Sequence, residues 1–185
     1  MLNGEKKVIH AVAGDLVEAH EAGCRFLDGQ CGVSPKPADI VFSTNGGYPL
    51  DQNIYQAVKG MTAAEATVNP GGVIIMLAKS DDGHGGEGFV RELISSDDVD
   101  EIMDRFLSRD RRHTVPDQWQ AQILVRILQK ARVIYVSDAE DELVRSLHMT
   151  PAHSIPEALR MAEKMLGKQD ANVTVIPDGI AVVVR

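Results

Sequence analysis

The sequence predicts an α/β domain: a three-layer-like arrangement with a mostly parallel sheet, helices on both faces and a C-terminal β-hairpin. Three observations carry this expectation. Short apolar runs such as Val73-Ile74-Ile75-Met76-Leu77-Ala78 alternate with stretches of helical period. Helix-start signals stand ahead of several of those stretches. The last two apolar runs flank Pro177-Asp178-Gly179, a hairpin turn signal.

Taken in order, Ile9, Val12, Leu16, Ala19, Gly23 and Phe26 step by three and four, so a leading amphipathic helix is expected to end near Gly29. Its abrupt polar beginning suggests a cut end. Residues 1–30 are expected to be this helix and a linker, and residues 31–185 the α/β domain. Two prolines and a glycine make Cys31-Gly-Val-Ser-Pro-Lys-Pro-Ala38 a loop. Strands are expected over 39–44, 73–79, 132–137, 173–176 and 180–184. Thr62-Ala-Ala-Glu65 and Ser154-Ile-Pro-Glu157 match the capping box, Asp51 can cap the helix after Pro49, and Pro116 can open a helix through Trp119.

Composition narrows the function. The 185 residues suffice for one domain, and a net charge of −8 with a pI near 5.2 argues against nucleic acid or an anionic membrane surface as partner. No apolar run approaches the roughly 18–20 residues of a membrane span, and the start carries no secretory signal, so the expected compartment is cytoplasmic. Cys24 and Cys31 lie outside any CxxC or Cys/His cluster and read as reduced, ordinary cysteines.

In an open parallel sheet, ligands bind beyond the carboxyl ends of the strands. The loop Ser43-Thr44-Asn45-Gly46-Gly47-Tyr48-Pro49-Leu50-Asp51 therefore draws notice: its glycines permit close approach, and the next helix offers N–H groups to an anion. On that helix Ile54, Ala57, Val58 and Met61 form an apolar stripe, while Gln52, Gln56 and Lys59 share the opposite side. Lys59 and Gln56 can converge on a carboxylate, the amine supplying charge and the amide directed hydrogen bonds, or can be an ordinary solvated face. Ser80-Asp-Asp-Gly-His-Gly-Gly-Glu-Gly88 has four glycines and His84 but neither P-loop spacing nor metal-ligand partners, and His84 reads as a surface residue. Trp119 is four and eight residues before Ile123 and Ile127, the spacing of a core aromatic, yet lies near a helix mouth where it could wall a pocket. Arg111, Arg112 and His113 read as an exposed loop. These residues contain no nucleophile elbow, catalytic carboxylate pair or complete metal site.

Thr44-Asn-Gly-Gly-Tyr-Pro-Leu-Asp-Gln-Asn-Ile-Tyr-Gln-Ala-Val-Lys-Gly60, with the 80–88 loop and Pro116-Asp-Gln-Trp-Gln120, resembles the carboxyl-terminal portion of the nickel-dependent lactate racemase family. The resemblance implies an isomerase of two domains with its active site between them. It implies a nickel-pincer nucleotide, pyridinium-3-thioamide-5-thiocarboxylate mononucleotide with Ni, that takes a hydride from the hydroxyl-bearing carbon and returns it through a keto acid. The cofactor lysine, the nickel histidine and the acid–base histidines belong to the family's other domain, so no catalytic or metal residue is assigned here. What carries over is a substrate-binding wall: Gln56 and Lys59, with Tyr55 beside them and Trp119 as a pocket tryptophan. At 100° per residue Tyr55 is expected beside the apolar stripe rather than with Gln56 and Lys59. The implied partners are a small 2-hydroxy acid and the chain's own N-terminal domain. A chain inactive by itself follows. The alternative is a stand-alone α/β module that binds a small carboxylate or phosphate at the Asn45-Gly46-Gly47 loop without catalysis, and a purely structural domain would have no ligand pocket.

Overall fold

The computed structural model describes residues 1–185. Its first helix, α1 (Leu16–Cys31), starts later than the apolar spacing predicts, because Gly14 turns at φ +145° and Asp15 caps the helix, accepting from Val17 N at 2.9 Å and Glu18 N at 3.2 Å. Ile9 and Val12 lie outside it. No residue of α1 is buried.

After β1 (Gly32–Val33) come β2 (Ala38–Thr44), α2 (Ile54–Thr67), β3 (Val68–Leu77), α3 (Glu87–Leu93) and α4 (Val99–Ser108). Then follow α5 (Gln118–Lys130), β4 (Arg132–Val136), α6 (Asp141–Ser146), β5 (Thr150–Ala152), α7 (Ile155–Leu166), β6 (Val173–Ile176) and β7 (Val183–Val184). Five strands form one sheet in the order β5-β4-β3-β2-β6, each neighbouring pair parallel. The strands are apolar along their length because both faces are covered. Val41, Ile74, Met76, Val133 and Tyr135 face α2, α3, α4 and α5, while Ile40, Phe42, Val73, Ile75 and Ile134 face α7 through Ala158 and Ala162. The α/β class, the mostly parallel sheet and the helices on both faces are as the sequence predicts.

The C-terminal hairpin is not. Thr44 Oγ1 donates to Pro177 O at 2.6 Å and Gly179 N donates to Thr44 O at 3.0 Å, so the expected turn is bound to the end of β2. The chain then crosses to β1, with which β7 pairs in parallel (Gly32 opposite Val183), and β6 pairs with β2. Strand β3 begins five residues earlier than expected: Ala38 pairs with Val68, and a register shift takes up Asn69–Gly72. A Cβ at Gly72 would stand 2.7 Å from Asp39 O, so only glycine fits that irregularity.

Of the helix-start signals, Ser154 is a cap, accepting from Glu157 N at 3.3 Å, while the Glu157 carboxylate accepts from His153 N at 2.8 Å. Thr62 lies inside α2, where its hydroxyl donates to Lys59 O. The cap of α2 is Asn53, and Asp51 Oδ2 instead accepts from Lys79 N at 3.4 Å.

Candidate functional site

Strand order reverses at β2, with β3 on one side and β6 on the other, and the β2–α2 loop leaves the sheet there. Asn45, 1% exposed, locks that loop onto the helix. Its amide donates to Gln56 O at 3.1 Å and to Leu50 O, and its Oδ1 accepts from Gly60 N at 2.9 Å. Gly46 and Gly47 adopt φ +72° and +84°.

The opening N–H groups of α2 are not available to an anion. Ile54 N donates to Gly83 O and Tyr55 N to His84 O, both at 3.0 Å, and Gln56 N donates to Asn53 Oδ1 at 3.0 Å. The glycine-rich 80–88 loop is thus folded over the helix end and satisfies its orphan donors. This corrects the expectation of free N–H groups at the start of that helix. Gln52 precedes the helix, and its carbonyl accepts from Asp82 N at 2.9 Å. His84 is half-buried, its Nδ1 accepting from Gly86 N at 3.0 Å and its Nε2 standing 3.4 Å from Glu87.

Gln56 and Lys59 do converge. Lys59 Nζ donates to Gln56 Oε1 at 2.7 Å on the outer side of α2, Lys59 exposed and Gln56 half-buried. The ammonium's partner is a neutral amide, so its charge is uncompensated by that bond, and the Gln56 amide N–H groups remain donors. Such a pair presents to solvent what a carboxylate binds: one cation and a directed amide donor.

Tyr55 and Trp119 form a second pair. Their rings meet edge to face, centroids 6.1 Å apart at 88°, and Tyr55 also meets Phe89 edge to face at 5.5 Å. Tyr55 leans against the main core, beside the apolar stripe, yet it is also one helical turn before Lys59. Burial raises the pKa of its phenol, the Asp117 carboxylate adds to the rise by charge and hydrogen bond, and a hydrogen bond from Trp119 opposes it. Trp119 is 52% exposed, so the core position that its spacing with Ile123 and Ile127 suggests is overturned. Gln118 and Gln120, its neighbours, are buried instead. Gln120 Nε2 donates to Tyr55 O at 2.6 Å, tying the start of α5 to α2.

The basic stretch divides. Arg111, Arg112 and His113 are exposed, with Arg112 paired to Asp110 at 2.9 Å. Arg109 is turned inward between Glu92 Oε2 at 3.1 Å and Gln118 Oε1 at 2.5 Å. A cleft of about 360 Å³ at the carboxyl ends of β2, β3 and β4 is lined by Thr44, Asp51, Lys79, Asp138 and His153 among others, and by none of Tyr55, Gln56, Lys59 and Trp119. Tyr55 and Gln56 are half-buried, and Lys59 and Trp119 are exposed. Asn45, which the sequence marks only as part of a glycine-rich loop, holds that loop to α2, whereas Asp117 was not singled out, because an aspartate before a helix reads as an ordinary cap residue.

Residues 33–184 match the model of the lactate racemase C-terminal domain. The chain is 50% identical over 186 residues to the lactate racemase of Thermoanaerobacterium thermosaccharolyticum and 52% identical to that of Lactiplantibacillus plantarum. All of this chain aligns in both cases, against 43% and 44% of the relatives, so it spans less than half their length. The solved lactate racemase apoprotein of T. thermosaccharolyticum superposes with a TM-score of 0.93 at 51% identity, over 100% of this chain and 44% of that one. A Thermotoga maritima protein with a TM-score of 0.56 at 13% identity, over 91% of this chain and 42% of its own, shares the fold alone. By sequence and by structure, this chain belongs to the lactate racemase C-terminal domain family.

Proposed function

We propose that this chain is the substrate-side portion of a longer racemase that interconverts D- and L-2-hydroxy acids, lactate or a close relative, and that it binds and orients the substrate. The observation that carries the reading is the Lys59–Gln56 pair, 2.7 Å apart on the outer face of α2. A substrate carboxylate takes a charge-assisted hydrogen bond from the Lys59 ammonium and a directed one from the Gln56 amide. Fixing the carboxylate at two points orients the hydroxyl-bearing carbon toward the other half of the site. Tyr55 and Trp119 wall the substituent on that carbon. The reaction class is supported by the relatives' name, lactate racemase.

The nickel-pincer nucleotide is a hydride carrier in the family the chain resembles, and no three His, Cys, Asp or Glu side chains here converge where they could hold a metal ion. It belongs with the chain's own N-terminal domain, in the length of the relatives that lies outside these 185 residues. The chain alone does not racemise, and it works beside that domain in the cytoplasm. The full-length protein containing this chain, loaded with the nickel cofactor, is expected to convert either enantiomer of lactate to an equal mixture, and the 185-residue chain to convert neither. Racemisation by the chain alone, or a loaded full-length protein that converts no 2-hydroxy acid, contradicts the reading.

A further inference from the structure

An aspartate immediately before a helix ordinarily accepts a hydrogen bond from an N–H two or three residues on. Asp117 does not cap α5 in this way: its backbone is left-handed, φ +67° and ψ −4°, and its side chain makes no cap hydrogen bond. A non-glycine residue held in that conformation, with its usual partner given up, implies another use for the side chain. The carboxylate is turned across to the glycine-rich loop. A Cβ at Gly88 would stand 2.8 Å from Asp117 Oδ2, and one at Gly86 3.5 Å from the same oxygen and 3.3 Å from Tyr55 Cδ2. Gly86 is extended, with φ −175°, so its lack of a side chain answers to this crowding and not to backbone geometry. The carboxylate, the bare Gly86–Gly88 backbone and the Tyr55 ring therefore meet at one point, two residues from Trp119.

We propose that Asp117 is a positioning residue for the Tyr55–Trp119 wall: its carboxylate holds the Tyr55 phenol against Gly86 and so sets the space open to the substituent of a 2-hydroxy acid. The electrostatics agree, since the Asp117 carboxylate adds to the rise that burial gives the phenol pKa. The specificity role rests on the proposed function; the positioning of the two rings does not.

Two variants separate the carboxylate from the backbone. Asp117→Gly removes the carboxylate and relaxes the left-handed position, whereas Asp117→Asn keeps both that conformation and an oxygen that accepts from the phenol. In the full-length enzyme Asp117→Gly should change the ratio of kcat/KM for lactate over 2-hydroxybutyrate by about tenfold, the scale on which a pocket discriminates one methylene, and Asp117→Asn should restore it. In the 185-residue chain, where Trp119 is the only tryptophan, its emission anisotropy should fall in Asp117→Gly and recover in Asp117→Asn. Gly86→Ala tests the contact from the other side, because the added methyl would stand 3.3 Å from Tyr55 Cδ2 and press on the ring, and it should shift the same ratio even if Asp117→Gly does not fold. An unchanged ratio, or equal losses on both substrates in Asp117→Gly and Gly86→Ala, overturns the specificity role. Unchanged anisotropy overturns the positioning role, and it does so even if the full-length protein proves to be no racemase.

Discussion

Replacing Lys59 by Ala in the full-length protein is expected to raise the KM for lactate by roughly ten- to a hundredfold while leaving the melting temperature of the protein unchanged. The two halves of this result have separate origins. A hydrogen bond to a charged group contributes about 1.5–3 kcal/mol, and each 1.4 kcal/mol is a factor of ten. Because the carboxylate is held equally in the ground state and during reaction, the loss falls mainly on KM. Folding is indifferent to the change, since Lys59 is exposed and its side-chain bond is to Gln56 on the same helix, a surface contact within about 0.5 kcal/mol. Lys59→Arg recovers only part of the loss, because a planar guanidinium on a longer reach does not replace a compact ammonium. Steady-state kinetics and a thermal melt check both halves, and an unchanged KM removes Lys59 from the substrate site.

The largest effect on stability is expected at Arg109. Its guanidinium lies between Glu92 Oε2 and Gln118 Oε1 and over the Phe106 ring at 6.0 Å, with side-chain exposures of 19% for Arg109 and 9% for Glu92. Arg109→Ala leaves the Glu92 carboxylate buried without its cation, which costs about 3–5 kcal/mol. For a domain of this size each kcal/mol moves the melting temperature by about 2–4 °C, so a fall of roughly 6–20 °C is expected. Replacing Arg109 and Glu92 together by Met and Leu should cost much less, because the uncompensated charge goes as well. A single variant that melts within about 2 °C of the wild type contradicts this, since that is less than 1 kcal/mol.

Reading the fold from the residues succeeded where one local rule governed. Val73-Ile74-Ile75-Met76 is apolar at every position because the strand is covered on both faces, and that pattern needs no partner to be recognised. It failed where a distant residue competed. Pro177-Asp178-Gly179 carries every sign of a hairpin turn, but Thr44, 133 residues away, takes the Pro177 carbonyl. Strand β5, only three residues with Pro151 in its middle, went unread because proline is excluded from central strands, whereas β5 is an edge. Helix α4 left a legible signal in Asp98 followed by Ile102 and Phe106, four apart and both buried.

The candidate site divides in the same way. Gln56 and Lys59 share a face by helical period alone, and that much of the site follows from spacing. The partners of the glycine-rich loop do not, because Gly83 O, His84 O and Asp117 come together only when α2 and α5 pack. Trp119 shows the limit of periodicity: the buried side of α5 is centred on Ala121, Leu124 and Val125, while Trp119 lies on the other side with half-buried Ile123 and exposed Arg126.

The most direct test of the central claim is the affinity of the full-length protein for lactate against its neutral amide, lactamide, in the wild type and in Lys59→Ala. If Lys59 and Gln56 hold a carboxylate, the wild type should prefer lactate by at least about tenfold, as expected for a charge-assisted hydrogen bond, and Lys59→Ala should lose that preference by weakening lactate alone. A preference that survives the substitution, or a loss equal for both ligands, would place the carboxylate elsewhere and contradict the account.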